Sequence, residues 1–194
     1  MRELMNPVSP HSSRLGVISR PHRGFWQDVV MPFTLREPAV SDAPQIAELH
    51  VTSWRETYSH LLSEDYFTEE HVQSRYEMWS YILGNPRAEW SIRIAECRGQ
   101  IIGFAFFGPS FGPEGQELPR DRQLFSLYVA AERYGTGVGQ ALLDATAGDG
   151  PAMLWVARDN NRAVAFYRRN GFEFDGAEQT DPGAPAIVDA RMVR

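Results

Sequence analysis

From Phe33 onward the apolar positions switch between a period near two residues and a period near 3.6, the marks of strand and helix. FTLREPA, residues 33–39, reads as a short strand, after which Ser41-Asp42 offers an N-cap. APQIAELHVTSWRETY, residues 43–58, sets Ile46, Leu49, Ser53 and Trp54 at helical spacing, and a second helix runs from about Thr68 to Leu83, closed by Gly84-Asn85-Pro86. WSIRIAEC (90–97) and QIIGFAFFG (100–108) are strands joined by a hairpin turn at Arg98-Gly99. A Gly/Pro-rich loop covers 108–122. QLFSLYVA (123–130) is strand-like, VGQALLDATA (138–147) helical and AMLWVA (152–157) a buried strand. NNRAVAFYRRNGF (160–172) is a helix stopped by Gly171, and FEFDG (172–176) and AIVDARMVR (186–194) close the chain as strands. The order β-α-α-β-β-β-α-β-α-β-β predicts a mixed α/β sheet without an internal repeat. Residues 1–30 break the pattern by mixing Pro, Ser, Arg and His. They are expected to form a flexible extension before a domain spanning 31–194, with a second methionine, Met31, at the junction.

Composition narrows the chemistry. With 194 residues, 43% apolar and 23% charged, the chain suits one globular domain with a sizeable core. Its net charge is −6, and residues 1–30 carry four arginines against two acids, so −8 falls on the remainder. All 19 basic residues are arginine. Without a lysine, Schiff-base chemistry and the P-loop of a nucleoside triphosphatase are excluded. The acidic balance and the lack of a basic cluster argue against nucleic-acid binding. Cys97 is the only cysteine, which excludes intramolecular disulfides and Cys-rich metal sites and fits a reducing, cytoplasmic location. The five histidines lack ligand spacing, so no metal is expected. No apolar run approaches a membrane span, so no membrane partner is expected.

Between the strand at 123–130 and the helix at 138–147 stands YGTGVGQ, residues 134–140, with glycine at every second position. A helix N-terminus carries free N–H groups and about half a positive charge. Glycines there let the backbone approach an anion with several N–H groups aimed at it. With no lysine, the charge is left to those amides and to Arg133, which suits a pyrophosphate that is held and not cleaved. Glycine as filler in a flexible turn is the alternative.

LYVAAERYGTGVGQALL, followed about twenty residues later by DNNRAVAFYRRNGF, resembles the GNAT superfamily of acyl-CoA-dependent N-acetyltransferases, and the likeness extends over roughly residues 33–194. The first signature of that family, Arg/Gln-x-x-Gly-x-Gly/Ala, matches in its glycines, with Tyr134 standing where Arg or Gln is usual. The second, Asn-x-x-Ala-x-x-Phe-Tyr with a later Gly-Phe, matches at Asn160, Ala163, Phe166, Tyr167, Gly171 and Phe172. WRETY and the final ARMVR also look like this family.

The resemblance implies a mixed, mostly antiparallel sheet flanked by helices, with a splayed cleft between two central parallel strands. QLFSLYV should carry a β-bulge and diverge from AMLWVA. Acetyl-CoA is the implied co-substrate. Its pantetheine would pair with the backbone of Leu127, Tyr128 and Val129. Its pyrophosphate would rest on the amides of Tyr134, Gly135, Thr136, Gly137, Val138, Gly139 and Gln140. Asn160 would hydrogen-bond the pantetheine, beside Ala163 and Phe166. A backbone N–H of the bulged strand would polarise the thioester carbonyl, and Tyr167 would protonate the departing thiolate.

The acceptor side is less specified. His50, Trp54 and Tyr58 lie on one stripe of the first helix, which walls the acceptor side in the resembled fold. They are the candidate substrate residues, and His50, Glu56 and His60, with Tyr128, are the candidates for the base that takes the proton of the amine. A packed aromatic stripe is the competing explanation. The carboxylates of SEDYFTEEH, residues 63–71, would attract a cation or simply favour a helix start. Cys97 has no adjacent histidine and is expected to be structural. The implied reaction is direct attack of a primary amine on acetyl-CoA in a ternary complex, with a small-molecule acceptor. A peptide or protein amine, or a non-catalytic acyl-CoA sensor, are the alternatives, and a homodimer is left open. A dinucleotide-binding domain fits poorly, because Gln140 replaces the last glycine of Gly-x-Gly-x-x-Gly.

Overall fold

The computed structural model describes residues 32–62, 64–112, 117–180 and 184–194. The extension expected over 1–30 lies outside them. Its strands are β1 (Thr34–Arg36), β2 (Ser91–Cys97), β3 (Gln100–Pro109), β4 (Arg122–Val129), β5 (Met153–Ala157), β6 (Glu173–Thr180) and β7 (Val188–Val193). The helices are α1 (Ala43–Tyr58), α2 (Glu69–Gly84), α3 (Val138–Thr146) and α4 (Asn161–Arg169). One seven-stranded sheet runs β1-β2-β3-β4-β5-β7-β6. Every neighbouring pair is antiparallel except β4 and β5. This is the expected element order and the expected mixed, mostly antiparallel sheet. Among the described residues no helix is long and apolar enough to cross a membrane.

Local chemistry accounts for the punctuation. The β2–β3 turn holds Arg98 at φ 53° and Gly99 at φ 77°, the left-handed pair that matches strand twist in a two-residue hairpin. The Thr68 hydroxyl accepts the His71 N–H at 3.3 Å and caps α2. The start of α1 corrects the expectation at Ser41-Asp42. Asp42 occupies the cap position, but its carboxylate turns back to Arg36, at 2.7 and 2.9 Å, and to the Ala39 N–H. A bidentate arginine pair outcompetes a single helix amide for that carboxylate.

Helices cover both faces of the sheet. Ile46, Ala47 and Leu49 of α1 and Trp79 of α2 pack with Ile94, Phe104 and Phe106. On the other face Val138, Leu142 and Leu143 of α3 and Val164 and Tyr167 of α4 pack with Ala105, Leu124, Leu154 and Met192. The centre of the sheet is where it opens. β4 and β5 pair only at Gln123–Met153 and Leu124–Leu154. Immediately after, Phe106 faces Ser126 while Phe107 faces Leu124, so Phe125 is an extra residue on β4. Such a bulge bends a strand, and beyond it the two parallel strands separate. The cleft lies between them.

Candidate active site

The cleft holds a cavity of about 340 Å³. Leu127, Tyr128 and Val129 of β4 line one wall, and Asn160, Ala163, Phe166 and Tyr167 the other. The Ala130 N–H bonds to the Ile102 carbonyl at 2.9 Å, which sets the phase of the antiparallel ladder. By alternation, the N–H and C=O groups of Leu127 and Val129 point away from β3 and toward the cleft.

Gly135, Gly137, Gly139 and Gln140 form the end of the cavity at the start of α3. Gly135 and Gly137 sit at φ 76° and 88°, and Gly137 is the N-cap, with no side chain to occupy the first amides. A Cβ at either position would meet nothing within 4 Å among the described residues, so these glycines serve backbone conformation and leave open space above the helix start. Gly139 differs: it lies inside the first turn, where a Cβ would rest 3.7 Å from Phe166 and Val129. Thr136 turns its hydroxyl onto the Arg133 carbonyl at 2.7 Å, and Val138 is buried in the core. Those two face the cavity with backbone at most.

On the opposite wall the Asn160 side chain accepts the Ala163 N–H at 3.1 Å, capping α4. Tyr167 is buried, its ring edge-on to Phe166 and Phe172 at 5.3 and 5.9 Å. Burial pushes the phenols of Tyr167, Tyr128 and Tyr58 up, which keeps each protonated near neutral pH.

The predicted acceptor residues separate. Tyr58 lines the cavity, whereas His50 and Trp54 are not among its lining residues. His50 is buried among Trp54, Trp79, Phe104 and Tyr128 and accepts the Trp79 indole N–H at 3.4 Å. Burial, with lesser repulsion from Arg75 and His71, pushes its pKa down to about 3. It is a neutral packing residue. The Trp54 indole donates to the Tyr128 hydroxyl at 2.7 Å, holding that phenol from behind. Glu56 and His60 are exposed and lie away from the cavity. Cys97 is buried, 3.8 Å from an Arg133 nitrogen that donates toward its sulfur.

Ser53, Thr57, Arg162 and Arg169 also line the cavity, although none stood out as a site residue in the sequence. Ser53 is 3% exposed, and its Oγ has no hydrogen-bond partner among the described residues. A hydroxyl at an apolar helical position was its only signal. The Arg162 guanidinium stands 3.5 Å from the Tyr134 ring centroid. Its signal was indirect: a chain without lysine and an aromatic ring at the first position of the glycine signature.

Residues 88–174, from just before β2 into β6, match an acetyltransferase (GNAT) domain. A probable N-acetyltransferase of Mycobacterium tuberculosis is 33% identical over 141 residues, covering 70% of this chain and 76% of that one. A spermidine N(1)-acetyltransferase of Thermoplasma acidophilum is 24% identical over 161 residues, covering 78% of this chain and 94% of its own length. Among solved structures, the PaiA N-acetyltransferase of the same organism, determined with coenzyme A, superposes with a TM-score of 0.64 at 22% identity and covers 84% of this chain and 99% of its own. Fold, cleft, signatures and relatives agree: the chain belongs to the GNAT family and is an acetyltransferase.

Proposed function

We propose that the protein transfers an acetyl group from acetyl-CoA to a primary amine of a small molecule, by direct attack in a ternary complex. One observation carries this reading: a single cavity joins an unpaired strand edge, an open glycine helix start and a buried phenol. The open space above Gly135 and Gly137 suits a pyrophosphate, since built Cβ atoms there would meet nothing within 4 Å. The inward-facing groups of Leu127 and Val129 suit an extended amide-bearing arm, which would pair with them as an added strand. Acetyl-CoA would supply the activated thioester.

The chain's own groups then divide the work. A cleft-facing N–H of β4 would stabilise charge on the attacked carbonyl oxygen. Tyr167, held protonated by burial, would donate its proton to the leaving sulfur. An alkyl amine, with a pKa of roughly 10, must lose a proton before it attacks. His50 is walled off from that proton by its aromatic neighbours. The relative named for spermidine acetylation supports a small amine acceptor.

Thiol release from acetyl-CoA, measured across a panel of polyamines, amino sugars and peptides, tests the proposal. Amine-dependent release that is fastest with small amines is the expected result. Turnover only with peptides would reassign the acceptor, and tight CoA binding without turnover on any amine would make the protein a sensor.

A further inference from the structure

The chain has no lysine, and its glycine signature opens with Tyr134 where the family carries Arg or Gln. A pyrophosphate on α3 would then meet amides but no cation at the first position of the signature. We propose that the missing cation is delivered across the cleft by Arg162 on α4, held in place by the ring of Tyr134. The inference rests on the acetyl-CoA reading above and names which side chain meets the pyrophosphate. Tyr134 and Arg162 line the same cavity as Gly135 and Gly137, and the guanidinium carbon stands 3.5 Å from the ring centroid. Stacking engages the face of a guanidinium and leaves its in-plane N–H fork for a bidentate phosphate contact. The ring therefore does the positioning, and the arginine makes the contact.

The other two arginines of the cavity are less suited. Arg133 points an N–H at the Cys97 sulfur, and its buried Nε has no partner among the described residues. Arg169 lies seven residues beyond Arg162, roughly two turns farther along α4 from the helix start. Arg162 sits in the first turn and is exposed, so it can be replaced without disturbing the core. In effect an aromatic ring stands at the cradle, and the charge comes from the facing helix.

Titration calorimetry of the full chain with CoA and with 3′-dephospho-CoA tests this. Arg162→Ala should weaken both ligands by the same factor, roughly tenfold, the scale of one charge-assisted hydrogen bond. Tyr134→Ala should cost severalfold, while Tyr134→Phe, which keeps the ring, should bind as the wild type does. Arg162→Ala combined with Tyr134→Arg should recover most of the lost affinity, because the cation returns to the family position. Unchanged affinity in Arg162→Ala would overturn the proposal. So would a loss confined to CoA, which would move the arginine to the 3′-phosphate, or a double variant no better than Arg162→Ala alone. A wild-type chain that binds neither ligand would refute the donor assignment itself, an outcome distinct from a wild type that binds and a variant that binds equally well.

Discussion

α3 and α4 begin at the same cavity in opposite ways. α3 starts at Gly137, at φ 88°, with no side chain taking its first amides. α4 starts at Asn160, whose side chain closes onto the Ala163 N–H at 3.1 Å. A helix start left open keeps its partial positive charge and donors for a ligand. A capped start spends them on the fold and fixes what the helix carries, here Tyr167 seven residues on. Under the proposed function, one wall of the cleft would bind the donor and the other would hold the reacting phenol still. α1 contributes a third wall of a different kind, in which aromatic packing places hydroxyls and no charge.

The largest effect should come from closing the open start. Gly137→Val forces a β-branched residue into the left-handed region, at a strain of about 1–3 kcal/mol, and fills the space above the amides. Acetyl-CoA affinity should fall by on the order of 100-fold, alongside the lower melting temperature that the strain predicts. A folded variant with wild-type affinity by calorimetry would erase the distinction between the two starts.

Next comes the group that the closed start supports. Tyr167→Phe keeps the ring between Phe166 and Phe172 and removes only the hydroxyl. Turnover should drop by on the order of 100-fold with little change in apparent acetyl-CoA affinity. A wild-type single-turnover rate would return Tyr167 to packing alone.

Asn160→Ala sharpens the comparison from the other side. Loss of the cap should cost about 1 kcal/mol of stability, a few degrees in Tm. Its effect on CoA affinity should be much smaller than that of Gly137→Val. If affinity collapses while Tm holds, the asparagine serves the ligand and not the helix.

The smallest effect concerns α1 and is visible only in pH dependence. With a folded pKa near 3 against an ordinary value near 6.5, His50 binds a proton more readily in the unfolded chain. Stability should therefore be fully present above about pH 6.5 and decline as pH falls toward 3, with His71 adding in the same direction. His50→Gln keeps an acceptor for the Trp79 indole and removes the titration, so its melting temperature should fall less between pH 7 and pH 5. An unchanged slope would mean that His50 is not the buried neutral base described.

Much of this architecture could be read along the chain. The strands and helices come in the predicted order because each boundary carries its own turn chemistry: Arg98-Gly99, Thr68, the glycines before α3, Gly171 at φ 81°. The open start of α3 was legible for the same reason. Glycine at a helix start is a device a sequence can show for leaving the first backbone amides open. The α1 wall was not. Helical spacing places His50, Trp54 and Tyr58 on one stripe, but a stripe about 100° wide can face core and cavity together. Tyr58 turned to the cavity and its two companions to packing. Ser53 shared the helical spacing of Ile46, Leu49 and Trp54, and Thr57 gave no signal of its own, so neither hydroxyl carried a motif that set it apart as a cavity residue.

What the sequence by itself determined is local: the order of the elements, the turns between them and the two helix starts, all properties of a few consecutive residues. Tertiary structure decided everything that depends on distance across the cleft. It set the parting of β4 from β5 after Leu124 and Leu154, where a single extra residue at Phe125 ends the pairing. It brought Arg162 over Tyr134 from a facing helix 28 positions later. It also buried the Ser53 hydroxyl beside the cavity, with no partner among the described residues, and sealed His50 among aromatic rings. Periodicity states which face of an element is apolar. Which neighbour meets that face, and at what distance, follows only when the elements pack together.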